Sequence, residues 1–568
     1  MTDTLLPKDD PNTTARQENL RKNQQTYYYK YDYKSLNGVP MADGVPFKDL
    51  PRFPWVKQAV IAVLKMLRNV GTYQILQRTS FRLSKKQELN LLAQQPRQMS
   101  DYIRYFQSLD IPKITFSYQD DSVFARMRVA GQNPVMLTAM RSMDEDFKLS
   151  NQKFQSIQGF AKDSLTKAMD GGRLFMVDYK KLENIKPGDN GHGIQQYNYA
   201  PKAIFAVPEN YACLKSSLVP IAIQCGQKTS KEMPIYTSHD GVAWEMAKTV
   251  VQIADFNYHE LISHLAATHL LIEPFVVTSH RQLADNHPLK VLLLPHFEGT
   301  LFINWAAQLS LVNDGGKVDT LFSGSIESSR KLVAERLELS FNEAMLPNQI
   351  HLRGVESPSL VYPYRDDALS LWNAILKWVS TYLDVYYKNN QDIANDAELT
   401  AWVAELIDAG QVIGFGDNES GKVLSLAYLQ QAVTMLIFTC SAQHAAVNFT
   451  QHDFAGYPPN MPAAGYTPPP KAKQQNTEEW LDLLPPVNMS AQQVELVFLL
   501  SAVYYTSLGQ YKKNYFSDPA IAPLLKNFTT ELTKIEATIT ARNEQTNEAG
   551  MMPYTYLLPS KIPQSINI

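Results

Sequence analysis

YHELISHLAATHLLIEPF, residues 258–275, is the stretch whose reading decides the fold. His259, His264 and His269 recur at five-residue intervals in an otherwise apolar run. On a regular α-helix five residues turn through roughly 140°, so successive imidazoles would diverge. A π-type turn, with its wider hydrogen-bonded ring, would bring them to one side, and such turns cluster at functional sites. The spacing therefore predicts either scattered histidines or a distorted helix that pairs them as ligands.

A second stretch has a similar character. QHAAVNFTQ, residues 443–451, follows the apolar run AVTMLIFTCSA. His444 and Asn448 are four apart, which places both on one helical face. Buried polar side chains need partners, and one metal ion would satisfy several at once. Imidazole, amide oxygen and carboxylate together suit iron or manganese better than thiolate-seeking metals. A single histidine on a buried helix is more often a hydrogen-bonded core residue. The weight here comes from four polar groups on two apolar helices. A helical zinc-hydrolase signature would need HExxH, but Ser263 stands where its second histidine belongs. Asn448-Phe449-Thr450 also matches a glycosylation acceptor, a reading rejected because the site lies inside an apolar helix.

Outward from these stretches, the pattern is helical from Gly241 onward. Helices are expected at Ala243–Glu273, Asp366–Lys388, Ala397–Asp408, Leu424–Thr450, Ala491–Ser507 and Pro519–Asn543. ITFSY (114–118), RLFMVDY (173–179), AIFAV (203–207) and VPIAIQ (219–224) are short, apolar and β-branched, so a small sheet or hairpins are expected there. Thr14–Gln25 is expected to be helical. Phe53–Leu67 reads as an amphipathic helix carrying Lys57 and Lys65 beside Trp55, either packed on the main body or lying on a membrane surface. The proline-rich stretch Tyr457–Lys473 is expected to be a loop.

The composition agrees. Of 568 residues 45% are hydrophobic and 19% charged, with a net charge of −3, which is globular and lacks the basic signature of a nucleic-acid partner. Single cores usually stop growing near roughly 250–300 residues, yet no stretch reads as an interdomain linker and no repeat is visible. One large helical body with a small β-containing part is expected. Cys213, Cys225 and Cys440 are too few and too dispersed for a disulfide framework or a zinc site. The N-terminus lacks a signal-peptide pattern, and no uninterrupted apolar run is long enough to span a bilayer.

Taken together, HELISHLAATHLLIEPF, the following NHPLKVLLLPHF (286–297), the HAAVN segment and the terminal IPQSINI resemble the lipoxygenase family. DSVFARMRVAGQNP (121–134), YPYRDDALSLWNAI (362–375) and LTAWVAEL (399–406) extend the likeness over nearly the whole chain. The resemblance is to the shorter, cyanobacterial-type bacterial form without an N-terminal β-barrel lipid-binding domain. It implies a mainly α fold, with an N-terminal extension over 1–50 and a catalytic domain over 51–568, its β-containing part near 110–225 and its helical core near 241–568.

The same resemblance implies the site. His264, His269, His444, Asn448 and the carboxylate of Ile568 would hold one non-haem iron per chain, with manganese an alternative. His259, Glu260 and Gln451 would support these ligands, and His280, His287 and His296 would be structural. No side chain is expected to act as acid or base beyond water or hydroxide on the metal. Ala307, Leu311, Leu321, Phe322 and Leu500 would line the channel for substrate and O2. The implied reaction is hydrogen abstraction from a polyunsaturated fatty acid followed by O2 addition. A hydroperoxide isomerase, a bis-allylic lipoxygenase and a silent lipid-binding relative are the alternatives. The expected setting is cytoplasmic and monomeric, with peripheral membrane contact through 53–67.

Overall fold

The computed structural model describes residues 3–568 apart from 82–95, 97, 190–192, 210–217, 231–232, 472–474 and 504–505. Cys213, part of the expected helix Ala491–Ser507 and the end of the expected loop Tyr457–Lys473 lie outside the described residues. Cys225 and Cys440 are buried and free.

The centre of the molecule is a continuous helical column, Val242–Gln282. It runs as α-helix over Val242–Tyr258, π-helix over His259–Leu270 and α-helix again over Leu271–Gln282. By length and composition it could cross a membrane, but 83% of its most apolar window is buried inside the protein. A helix apolar on every side belongs in a core. Helices pack around it: Ile326–Leu337 on the π segment, Ala397–Asp408 on the last α segment, and His444–Asn448 across the histidines. Pro363–Tyr386 packs in turn on Leu426–Phe438 and on the long C-terminal helix Ile521–Glu548.

Beside this body lies the small β part. A two-residue hairpin pairs β1 (Tyr29–Lys30) with β2 (Met41–Ala42). The main sheet is antiparallel with strands in sequence order: β3 (Thr138–Ala139), β4 (Leu174–Asp178), β5 (Lys202–Ala206), β6 (Val219–Gln224) and β7 (Ile235–Tyr236). The β5–β6 register shifts between Ile204 and Phe205, opposite Pro220. A bulge is where a strand can hold a residue without an N–H. The sheet is tied to the column by Arg128, whose Nη1 donates to Asp255 Oδ2 at 2.7 Å, while the Tyr179 hydroxyl donates to Asp255 Oδ1 at 2.8 Å.

Two expectations need correction. ITFSY is not a strand: Lys113–Phe116 is a 3-10 turn after Pro112. Ile114 is buried and Phe116 exposed, and among the described residues the run pairs with no strand. Strand preference expresses fit to a neighbouring strand, not an intrinsic backbone choice. The helix from Phe53 also does not stop at Leu67 but continues to Phe81.

The N-terminal segment is stitched to the body. Arg16 Nε donates to Glu398 Oε1 at 2.5 Å and Nη1 to Asp10 Oδ2 at 3.0 Å. The Ala42 backbone N–H donates to Glu273 Oε1 at 2.8 Å.

Candidate metal centre

The π segment does what the five-residue spacing requires. It turns His264 and His269 to one side, and their Nε2 atoms lie 3.3 Å apart. The second helix carries a π segment of its own, Thr439–Gln443, directly before His444. Nothing in the sequence signalled this, because the four-residue interval of His444 and Asn448 lies beyond it. His444 Nε2 stands 3.2 Å from His269 Nε2. The three ligand atoms all lie within 4.8 Å of one another, and all three residues are buried.

Each imidazole has a distinct setting. His264 Nδ1 faces Glu260 Oε2 at 3.3 Å, and His269 Nδ1 donates to Asn304 Oδ1 at 2.9 Å. Asn304 in turn donates to the His269 carbonyl at 3.0 Å and to Glu273 Oε2 at 2.6 Å. A ring nitrogen held in this way fixes tautomer and orientation, leaving Nε2 as the donor atom toward a metal. Burial pushes His269 down to about 3, with His264 adding to the effect. Burial also lowers His264, against the pull of Glu260. His444 falls well below the usual range through burial and its two histidine neighbours. All three are therefore neutral at ordinary pH, the form that binds a metal.

His259 stays out of the cluster. Its Nε2 donates to the Val447 carbonyl at 2.7 Å and its Nδ1 accepts from Gln132 at 2.9 Å, so it fastens the two histidine-bearing helices to each other. Its Nδ1 also lies 3.2 Å from Glu260 Oε1. Burial raises the Glu260 carboxyl, and its contacts with the His259 and His264 rings act in the opposite direction.

Asn448 is fully buried, and Gln451 Nε2 donates to its Oδ1 at 3.1 Å. Asn448 Nδ2 and Gln451 Oε1 are both left without a partner. With both amides turned over, the contact between them survives, and an oxygen replaces the orphaned Asn448 nitrogen. That arrangement presents an acceptor fit for a cation.

The C-terminus arrives at the same place. A hydrogen bond involving the Ile568 backbone is among the influences on His444, and Ile568 lines a cavity together with Glu260, His264 and His269. The tail is held by its carbonyls. His296 Nδ1 donates to Gln564 O at 2.8 Å, Thr300 Oγ1 to Ile566 O at 3.4 Å, and Trp55 Nε1 to Asn567 O at 2.5 Å. His296 is thus a tail anchor, a role its position in the sequence did not reveal. His287 bonds Asp396 at 3.0 Å, and His280 stacks on Tyr27 at 4.0 Å.

The cavity has a volume of about 380 Å³. Leu261, Leu265, Ala307, Leu311, Phe322 and Leu500 are among its walls. Leu321 is buried and is not among the lining residues. The cavity therefore combines apolar walls with a cluster of neutral imidazoles and a terminal carboxylate on one side.

The model of the family described as Lipoxygenase matches residues 2–559. The chain belongs to the lipoxygenase family. It is 33% identical to a linoleate 9/13-lipoxygenase of Pseudomonas aeruginosa, over 100% of this chain and 93% of that protein. It is 34% identical to a human polyunsaturated fatty acid lipoxygenase, over 79% of this chain and 66% of that one. Among solved structures, a lipoxygenase crystallised anaerobically in complex with arachidonate superposes with a TM-score of 0.89 at 28% identity, covering 100% of this chain and 84% of that one. The coral 8R-lipoxygenase gives 0.86 at 28% identity, covering 100% and 83%. The mainly helical lipoxygenase fold with its small antiparallel sheet is the fold found here.

Proposed function

We propose that this lipoxygenase inserts O2 into a polyunsaturated fatty acid to give a hydroperoxide, using one iron ion held by His264, His269, His444, Asn448 and the Ile568 carboxylate. The reading is carried by one observation: His264, His269 and the chain end line an apolar cavity, and His444 joins the two imidazoles with its Nε2 3.2 Å from that of His269. Its volume of about 380 Å³ falls in the range of small-ligand sites. The buried amide of Asn448 and the cluster of Nε2 atoms fit a borderline-hard divalent metal. When bound, such a metal supplies one-electron chemistry, taking up an electron as a bis-allylic C–H bond breaks and returning it to the oxygenated product.

The remaining work belongs to the protein. Leu265, Leu311 and Leu500 fix which CH2 of the chain lies against the histidines, and orientation of this kind contributes strongly to rate. Ala307 and Phe322 shape the space from which O2 reaches the substrate. Glu260 and Asn304 hold the two imidazoles in place. Metal analysis of the purified protein joined to chiral product analysis with linoleate tests the proposal. One iron per chain and a conjugated-diene hydroperoxide are expected. Fully loaded protein that binds linoleate without oxygen uptake would leave a lipid-binding role, and rearrangement of added hydroperoxide would point to an isomerase.

The helix Phe53–Phe81 supports a second element of the proposal, contact with an anionic bilayer. Its body-facing stripe is Trp55, Ala59, Ala62, Asn69 and Tyr73, whereas Phe53, Ile61, Leu64, Leu67 and Ile75 are exposed beside Lys57, Lys65 and Arg68. Exposed large apolar side chains flanked by cations suit a lipid surface. Co-sedimentation with vesicles containing phosphatidylserine should fall for Leu64→Asp, and unchanged binding would reject this element.

A further inference from the structure

We infer that Lys317 binds the carboxylate of the fatty acid and so sets the direction in which the substrate lies. This deepens the fatty-acid reading above and rests on it.

The cavity is apolar nearly throughout. Among its described lining residues, Glu260, His264, His269 and the Ile568 carboxylate all stand at the metal centre. Lys317 is the one lysine or arginine among them. It is half-buried, and its Nζ donates to Gln492 Oε1 at 3.1 Å. Among the described residues, no carboxylate of the protein pairs with it. An ammonium has three donors, so a neutral amide leaves Lys317 with capacity for an anionic partner. A fatty acid brings one. Its carboxylate cannot enter an apolar cavity unpaired without a large desolvation cost.

The position is built rather than incidental. Lys317 follows the Gly315–Gly316 turn, where Gly315 has φ +72° and a Cβ on Gly316 would meet Asn313 Oδ1 at 2.3 Å and Leu311 O at 2.6 Å. The next residue closes the turn, Val318 N–H donating to Leu311 O at 3.0 Å. The ammonium is therefore carried on the same tight loop as Leu311, which lines the cavity. A carboxylate at Lys317 would keep the charged end near the half-exposed lip while the hydrocarbon passes Leu311 toward His264 and His269.

The test compares linoleate with its methyl ester, on the iron-loaded full-length protein and its variants Lys317→Met and Lys317→Arg. Binding is measured without oxygen, so that the result does not depend on turnover, and KM and product isomers are measured with it. Loss of a charge-assisted hydrogen bond should weaken linoleate binding by about tenfold or more. Lys317→Met should therefore bind the free acid that much more weakly, bind the ester as before, and give a broader spread of positional isomers. Lys317→Arg should restore preference for the acid. Equal loss for acid and ester in Lys317→Met, or no loss for either, would overturn the assignment. Because anaerobic binding is read separately, a protein that binds through Lys317 but never consumes oxygen would refute the oxygenase reading and leave this one standing.

Discussion

Two long apolar helices dominate this molecule, and they face opposite surroundings. Val242–Gln282 is sunk in the core, and its polar residues converge inward on a metal centre. Phe53–Phe81 turns Ala59, Ala62 and Asn69 toward the protein, while Phe53 is 79% and Leu64 59% exposed. In the first helix His259 and His269 are tied to partner helices through Val447 and Asn304. In the second, Asn69 fastens the neighbouring turn, accepting from the backbone of Gln107, Ser108 and Leu109, and the large apolar side chains are left to the solvent. Apolar content alone therefore says little about environment. What distinguishes the two is which residues share a face with the small and polar ones.

The two meet across the cavity, which both help to line. Trp55 packs edge-on against Phe302 at 5.6 Å, lines the cavity, and donates to the carbonyl of Asn567, the residue before the chain end. The outer helix thus helps to place Ile568 beside the histidines of the inner helix.

The sharpest way to break the contrast is at the ligands. His264→Ala, or a few residues added after Ile568, should abolish metal retention on dialysis, whereas His259→Ala should weaken it by about 10–100-fold. An extended chain with full metal content would contradict the role given to its terminus. Next in size is packing. Phe275→Ala in the inner helix should cost about 3–5 kcal/mol in denaturant unfolding, and Leu64→Ala in the outer helix less than about 0.5 kcal/mol. Comparable losses would mean that the outer helix is as deeply embedded as the inner one.

A third test uses pH. Burial raises the Glu273 carboxyl from 4.5 to about 7, against its hydrogen bonds from Ala42 and Asn304. Between those values the folded protein holds a proton that the unfolded chain has lost. Stability should therefore fall as pH rises from about 4.5 to 7 and then level off, by at most about 3 kcal/mol. Glu273→Gln should flatten that slope, and an unchanged slope would remove Glu273 as its source. The smallest effect is expected at the junction. Trp55→Phe keeps the ring and loses one hydrogen bond, worth about 1 kcal/mol. It should speed metal loss to a chelator severalfold, with unfolding otherwise close to normal.

Much of this was legible without coordinates. The five-residue histidine interval left either scattered histidines or a distorted helix, and the column has the second, a π segment. Ala397–Asp408 and Val219–Gln224 occur where their periodicities placed them. The segments that misled are instructive. ITFSY has strand-like residues but pairs with no strand among the described residues. The helix beginning at Phe53 runs on because neither its polar residues nor Gly71 is enough to end it.

By itself the sequence determined the kinds of ligand, their spacing along two apolar helices, and the family to which the chain belongs, because periodicity and residue chemistry are local properties. Tertiary structure alone decided that His444 meets His269, that His296, Thr300 and Trp55 grip the last carbonyls, and that Lys317 stands at the same apolar cavity as His264, His269 and Ile568. Those contacts join residues hundreds of positions apart, and no local pattern encodes a meeting that depends on how whole helices pack.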